Sequence, residues 1–181
     1  AYSTTDTLST PVVSVKVFNA LNVLQTGLIL NTSGAKVTGD LTSLSDGSYR
    51  IQVDSTDAAG NVTRQTQGIT IDTVAPTLAI SSNTNVLKAG ETATITFTFS
   101  KDPGNSFIVS DAIVSTGGTL GTVSGSGLTR TAVFTPTANF ASGSASITVA
   151  AGTYTDTAGN VGGAGSNPPT LTRDTLTPSV S

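Results

Sequence analysis

The sequence predicts an all-β chain built as two tandem β-sandwich domains, and three observations carry the prediction. The run Asp57-Ala58-Ala59-Gly60-Asn61 recurs 99 positions later as Asp156-Thr157-Ala158-Gly159-Asn160. Each copy is followed by Asp-Thr-x-x-Pro, as Asp72-Thr73-Val74-Ala75-Pro76 and Asp174-Thr175-Leu176-Thr177-Pro178. Short β-rich runs, separated by clusters of Gly, Pro, Asn and Ser, fill the space between. An internal repeat of this kind marks a tandem array. With Asp6-Thr7-Leu8-Ser9-Thr10-Pro11 as a looser opening linker, residues 1–10 read as the end of a preceding linker and 11–74 as a short domain. Residues 75–175 read as a longer domain, and 176–181 as the start of the next linker or domain.

The first domain's strands are expected over Val12 to Phe18, Val23 to Leu30, Lys36 to Leu41, Tyr49 to Val53 and Gly68 to Ile71. That is a thin set, short of one or two edge strands. Tyr49, with Ile51 and Val53 after it, fits a tyrosine corner, in which the phenol bonds a backbone group upstream. In the second domain Ala93, Ile95, Phe97 and Phe99 alternate with threonines, the period-two pattern of a half-buried strand and not of a helix. Further strands are expected over Thr77 to Ile80, Phe107 to Val109, Ala132 to Phe134, Ser144 to Val149 and Leu171 to Arg173. Phe140 to Ala145 repeats the frame of the tyrosine corner with Ala145 where Tyr49 stands. About seven strands in about 100 residues is the pattern of an Ig-like Greek-key sandwich.

Composition removes most chemistry. There is no His, Cys, Met or Trp, and only 10% of residues are charged. Disulfides and thiolate metal sites are excluded, and so are the usual nucleophile–base pairs of covalent catalysis; no enzyme is expected. Lys and Arg are dispersed, unlike a nucleic-acid footprint. No run approaches the roughly 20 apolar residues of a bilayer span, so neither nucleic acid nor membrane insertion is expected. The acids are ten Asp against one Glu, Glu91. Short carboxylates are favoured where they ligate or bend a loop.

If the loop motif joins the last two strands of each sandwich, Asn61 to Asp72 is a strand of eleven residues, roughly 35 Å at about 3.3 Å each. Asp57 and Asp72 then lie at opposite ends of one domain and cannot share an ion. Each loop motif instead answers to the linker before its own domain. One joint would gather Asp72, Asp102, Asp156 and Asn160; the other, Asp6, Asp57 and Asn61. An oxygen-only set suits Ca2+, which takes six to eight oxygens, better than zinc. The same residues also make good turns, because Asp and Asn cap their own backbone and Gly accepts positive φ. Asp40, Asp46, Asp54 and Asp111 lack the pairing and read as surface or turn residues.

Three stretches carry a family resemblance: Leu87 to Phe97, Gly125 to Pro136 and Tyr154 to Asn160. They resemble the bacterial Ig-like repeats of giant, type I-secreted surface adhesins of the RTX type. The resemblance implies extender repeats of a cell-surface or biofilm adhesin, rigidified by Ca2+ at interdomain junctions, with metal roles for Asp72, Asp102, Asp156 and Asn160, and for Asp6, Asp57 and Asn61. It implies neighbouring repeats of the same chain as partners, a host or biofilm surface reached through other domains, a monomer, and a secreted or cell-surface location. Relatives often carry Glu where Lys101 stands, a departure that removes a possible ligand. The alternative class is a glycan- or protein-binding Ig-like module. Sugar binding usually exposes aromatics, and Tyr2, Phe18, Phe107, Phe140 and Tyr154 are too scattered in sequence to name a platform.

Overall fold

The computed structural model describes residues 10–33, 36–114 and 117–179, without the side chains of 32–37. Two compact units emerge, Ala1–Thr73 and Val74–Ser181. Both are built from strands, and the chain is all-β with two tandem Ig-like domains.

In the first unit, β1 (Val12–Asn19), β4 (Gly47–Thr56) and β5 (Val62–Ile71) form an antiparallel sheet in the order β1-β4-β5, beside a hairpin of β2 (Leu30–Ser33) and β3 (Lys36–Gly39). The predicted tyrosine corner is present: the Tyr49 hydroxyl donates to the Ser45 carbonyl at 2.9 Å. The expected strand over Val23 to Leu30 is not, since β2 begins only at Leu30. Asn19 explains the loss, because its side-chain oxygen accepts the Leu21 and Val23 N–H groups at 3.1 and 2.9 Å, and Asn22 takes φ of 62°. A side chain that captures local backbone donors makes a turn where the apolar pattern alone suggests a strand. Asp54 also differs from its reading as a surface residue. It is buried in β4, where Arg64 Nε donates to it at 2.6 Å, Gln52 Nε2 at 2.8 Å, and Lys16 lies 3.8 Å away. The period-two pattern is polar there because one face of this sheet holds an ionic cluster.

The second unit is the fuller sandwich. One sheet contains β6 (Leu78–Ser82), β8 (Ala93–Phe99), β10 (Gly118–Leu120), β11 (Thr129–Pro136) and β13 (Gly165–Ser166), in the order β10-β11-β8-β6-β13. The other contains β7 (Val86–Lys88), β9 (Ala112–Val114), β12 (Gly143–Val149) and β14 (Thr170–Asp174), in the order β7-β14-β12-β9. The first strand of the domain thus divides between the sheets as β6 and β7, and the last divides as β13 and β14. The β6–β13 and β7–β14 pairings are parallel, and the other strand pairings among the described residues are antiparallel. The alternation along β8 has the predicted sense: Ala93, Ile95, Phe97 and Phe99 are buried at 2% exposure or less. They pack with Phe134, Ile147, Val149 and Leu171 from the neighbouring strand and the facing sheet. Burying such a side chain stabilises by about 1.5–3 kcal/mol, so the core rather than the threonine face fixes the strand.

Phe107 to Val109 was expected as a strand. Instead Val109–Asp111 is a 3-10 turn, closed by the Asp111 carboxylate accepting the Ile108 N–H at 2.7 Å, and the strand follows at β9. Phe107 faces inward all the same. Its ring centroid lies 5.0 Å from those of both Phe97 and Phe99, and Tyr154 stands 5.2 Å from Phe99. These edge and tilted contacts, each worth about 0.5–1.5 kcal/mol beyond area burial, pin two long loops to the core. One is the loop between β8 and β9, and the other follows β12.

Candidate functional site

The loop motif folds the same way in both units. Asp57 N donates to Asn61 O and Gly60 N to Asp57 O, each at 3.1 Å, and the second copy matches, with Asp156 N to Asn160 O and Gly159 N to Asp156 O at 3.1 Å. The carboxylate then closes the turn from inside. Asp57 accepts Asn61 N at 2.8 Å and Asn61 Nδ2 at 2.7 Å; Asp156 accepts Asn160 N at 2.9 Å and Asn160 Nδ2 at 3.0 Å. Gly60 and Gly159 sit at φ of 87° and 91°, the left-handed region that glycine enters without steric cost. Every position of the repeated motif except its second and third is therefore accounted for by turn chemistry. The asparagine hydrogen bond holds each aspartate below its ordinary pKa of 3.8, against the opposing effect of desolvation.

The surroundings of the two copies differ. Asp57 lies on the hairpin between β4 and β5, half-buried, and among the described residues no cation faces it. Asp156 is buried, its side chain 1% exposed, and the Lys101 ammonium lies 3.4 Å from Oδ2. Lys101 also donates to the Val74 carbonyl. The loop between β8 and β9 and the loop after β12 thus meet at the end where the chain enters the second unit, as the sequence argument requires. Further bonds fasten the same end: Gly163 N to Pro76 O at 3.2 Å, Tyr154 Oη to Pro76 O at 3.4 Å, and Ser100 N to Thr77 O at 2.9 Å.

The other named residues lie as follows. Asp102 belongs to the loop between β8 and β9, but its carboxylate turns to Arg130 Nη2 at 3.2 Å and to Gly104 N at 2.9 Å. Asp72 directly follows β5 in the first unit. Asp6 lies outside the described residues. Among the described residues no three Asp, Glu, His or Cys side chains are grouped as a metal site would need. The residues of the second unit do not fit Ca2+ as they stand. Asp156 and Asp102 each already face a cation of the chain, and Asn160 presents its amide nitrogen, not its oxygen, to Asp156.

Two residues that matter here stand outside the repeated motifs. Lys101 reads in the sequence only as a missing ligand. Asp46, read as a surface or turn residue, accepts Thr73 N at 3.1 Å and Thr73 Oγ1 at 2.7 Å, fastening the segment after β5 to its own domain. The second copy of the linker does likewise by other means: Thr175 Oγ1 donates to Thr137 O at 2.7 Å, and Thr175 N to Phe140 O at 2.8 Å. The signal in the sequence is the Thr that both copies of Asp-Thr-x-x-Pro share, Thr73 and Thr175.

Paired antiparallel-rich sheets with the first and last strands divided between them define the second unit as an Ig-like domain. Residues 72–172 match the family described as bacterial Ig-like domain, and residues 4–73 match a second family of the same description. The chain belongs to the bacterial Ig-like domain family. No curated protein matches it. Among solved structures it is similar to SGBP-B of the Bacteroides ovatus mixed-linkage glucan utilization locus, in complex with a mixed-linkage heptasaccharide. Identity is 18%, with 88% of this chain and 39% of that one covered and a TM-score of 0.30. At that score the likeness bears on neither architecture nor function. Among the described residues no helix is long and apolar enough to cross a membrane.

Proposed function

We propose that the chain is a non-catalytic spacer, a pair of extender repeats in a bacterial surface adhesin that is secreted to the cell surface and carries adhesive domains elsewhere. The observation that carries this reading is the fastening of the linkers. Thr73 is tied to Asp46, Thr175 to Thr137 and Phe140, and the Val74 and Pro76 carbonyls to Lys101, Tyr154 and Gly163. Polar groups that a catalytic or binding site would leave open are spent on fixing where the chain enters and leaves a domain. A rod requires that. The aromatics of the entrance loops, Phe107 and Tyr154, are buried at 4% and 1% exposure and offer a sugar no platform, which weighs against the glycan-binding alternative.

Stiffening by Ca2+ belongs to this proposal at the joint of Asp57 and Asn61, where a half-buried carboxylate has no cation beside it among the described residues. Small-angle scattering on the full chain tests the spacer, and a glycan array tests the alternative. The expected results are a single narrow distance distribution and no bound glycan. A broad distribution typical of freely jointed domains, or saturable binding to one glycan class, would sink the spacer reading.

A further inference from the structure

We infer that the Lys101 ammonium takes the place of a divalent cation at the entrance of the second unit, so that its two entrance loops are held by a built-in charge and do not take up Ca2+. The Asp156 carboxylate is fully committed. Oδ1 accepts Ala158 N at 3.0 Å and Asn160 N at 2.9 Å, while Oδ2 accepts Asn160 Nδ2 at 3.0 Å and faces Lys101 Nζ at 3.4 Å. The ammonium also donates to a backbone carbonyl, that of Val74. A carboxylate and a main-chain oxygen from separate segments are what a hard cation would bridge, and here a primary ammonium bridges them. The lysine is 27% exposed and its partner 1%, so the charge approaches from the rim onto a buried anion.

The second acid of the loop is removed from competition. Asp102 is paired with Arg130, whose side chain is 8% exposed and whose Nη1 and Nη2 also donate to Gly127 O and Gly104 O at 2.8 Å each. Freeing Asp102 for a metal would strand a buried guanidinium, and freeing Asp156 would require Lys101 to leave. Among the described residues the same turn in the first unit has neither cation, so the two copies of one motif differ in what neutralises them. This inference is independent of the spacer reading, since it concerns what holds the loops and not what the chain carries.

Hydrogen exchange of the full chain, followed by mass spectrometry in Ca2+ and in chelator, tests it on peptides covering 74–77, 99–106 and 150–163. In the wild-type protein, exchange in these peptides should be the same in both conditions. Lys101→Glu adds an oxygen ligand and removes the competing charge. Its loops should exchange faster in chelator and, at a hundredfold excess of Ca2+ over Kd, about a hundredfold slower than without it. Lys101→Gln should exchange faster than wild type in both conditions and ignore Ca2+. Saturable Ca2+ protection of these loops in the wild type overturns the inference, as does unchanged exchange in Lys101→Gln. If Lys101→Glu fails to fold, those two measurements still decide.

Discussion

The Arg173 guanidinium carbon lies 3.8 Å from the centroid of the Phe140 ring, and this pair stands where the second domain lacks its tyrosine corner. Arg173 is 2% exposed, and Nε and Nη1 have no hydrogen-bond partner among the described residues. The ring face is therefore a principal compensation for a buried cation, and a desolvated cation–π contact contributes about 2 kcal/mol. Phe140→Ala should destabilise the second domain by about 2 kcal/mol or more in denaturant unfolding. Phe140→Tyr, which keeps the ring face, should cost much less. A Phe140→Ala protein as stable as wild type would show that the ring contact does not hold the arginine.

The corresponding change in the first domain has a different scale. Tyr49→Phe removes the hydrogen bond to the Ser45 carbonyl and a longer one, at 3.3 Å, to the Ser45 hydroxyl, and keeps the packing of a ring that is 8% exposed. The expected cost is about 1 kcal/mol, read as a shift of the first unit's unfolding transition with the second unmoved.

Gly162 tests how closely the second entrance loop is packed. A Cβ built there would lie 2.3 Å from ring atoms of Tyr154, a ring that is itself 1% exposed and cannot swing outward without opening the aromatic cluster. Gly162→Ala should cost about 1–3 kcal/mol, the range for overpacking. The accompanying rise in near-ultraviolet tyrosine signal change would locate the damage at Tyr154; an unaltered spectrum with unaltered stability would contradict the packing described.

How far the sequence reveals this molecule depends on which force places each element. Strands carried by a clear apolar alternation, as at Ala93 to Phe99, are legible because burial dominates and its period is visible. Val23 to Leu30 misleads because a single asparagine, Asn19, competes for the backbone donors, an effect with no periodic trace. The site is legible in one respect: the topology of an Ig-like sandwich puts the Asp156 turn and the loop of Asp102 at the end where the chain enters the second domain, and both loops are there. The direction of each side chain is not legible. Asp102 and Asp156 are drawn to Arg130 and Lys101 by pairings 28 and 55 positions distant in sequence, which no motif spacing announces.

Acid should weaken both copies of the loop together. Asp57 and Asp156 are each held below 3.8 by the asparagine four residues on, so the folded protein releases these protons more readily than the unfolded chain does. The stability they contribute is present in full above about pH 4 and is lost as the pH falls through the depressed values. Asn160→Ala removes the first cause for Asp156 and should shrink the acid-dependent part of the unfolding free energy, leaving stability near neutrality nearer to that at low pH. A pH profile parallel to the wild type would show that the amide does not set the titration of Asp156.

The linker threonines should be worth unequal amounts. Thr175 is 4% exposed and its hydroxyl both donates to Thr137 O at 2.7 Å and accepts Phe140 N at 2.9 Å. Thr175→Val keeps the shape and takes the partner from both of those groups in a part-buried place, at about 1 kcal/mol. Thr73 is exposed, and its partner Asp46 is exposed too, so water can replace each bond when it is lost. Thr73→Val should change global stability by well under about 1 kcal/mol while speeding exchange of the residue-73 amide, which loses the neighbouring hydroxyl that helps to hold the Asp46 carboxylate in place. The two substitutions therefore separate in kind: Thr175→Val lowers the unfolding transition of its domain, and Thr73→Val loosens a linker without lowering one. A Thr73→Val protein that unfolds as early as Thr175→Val would mean that the Asp46 contact supports the whole first domain and not only the direction in which the chain leaves it.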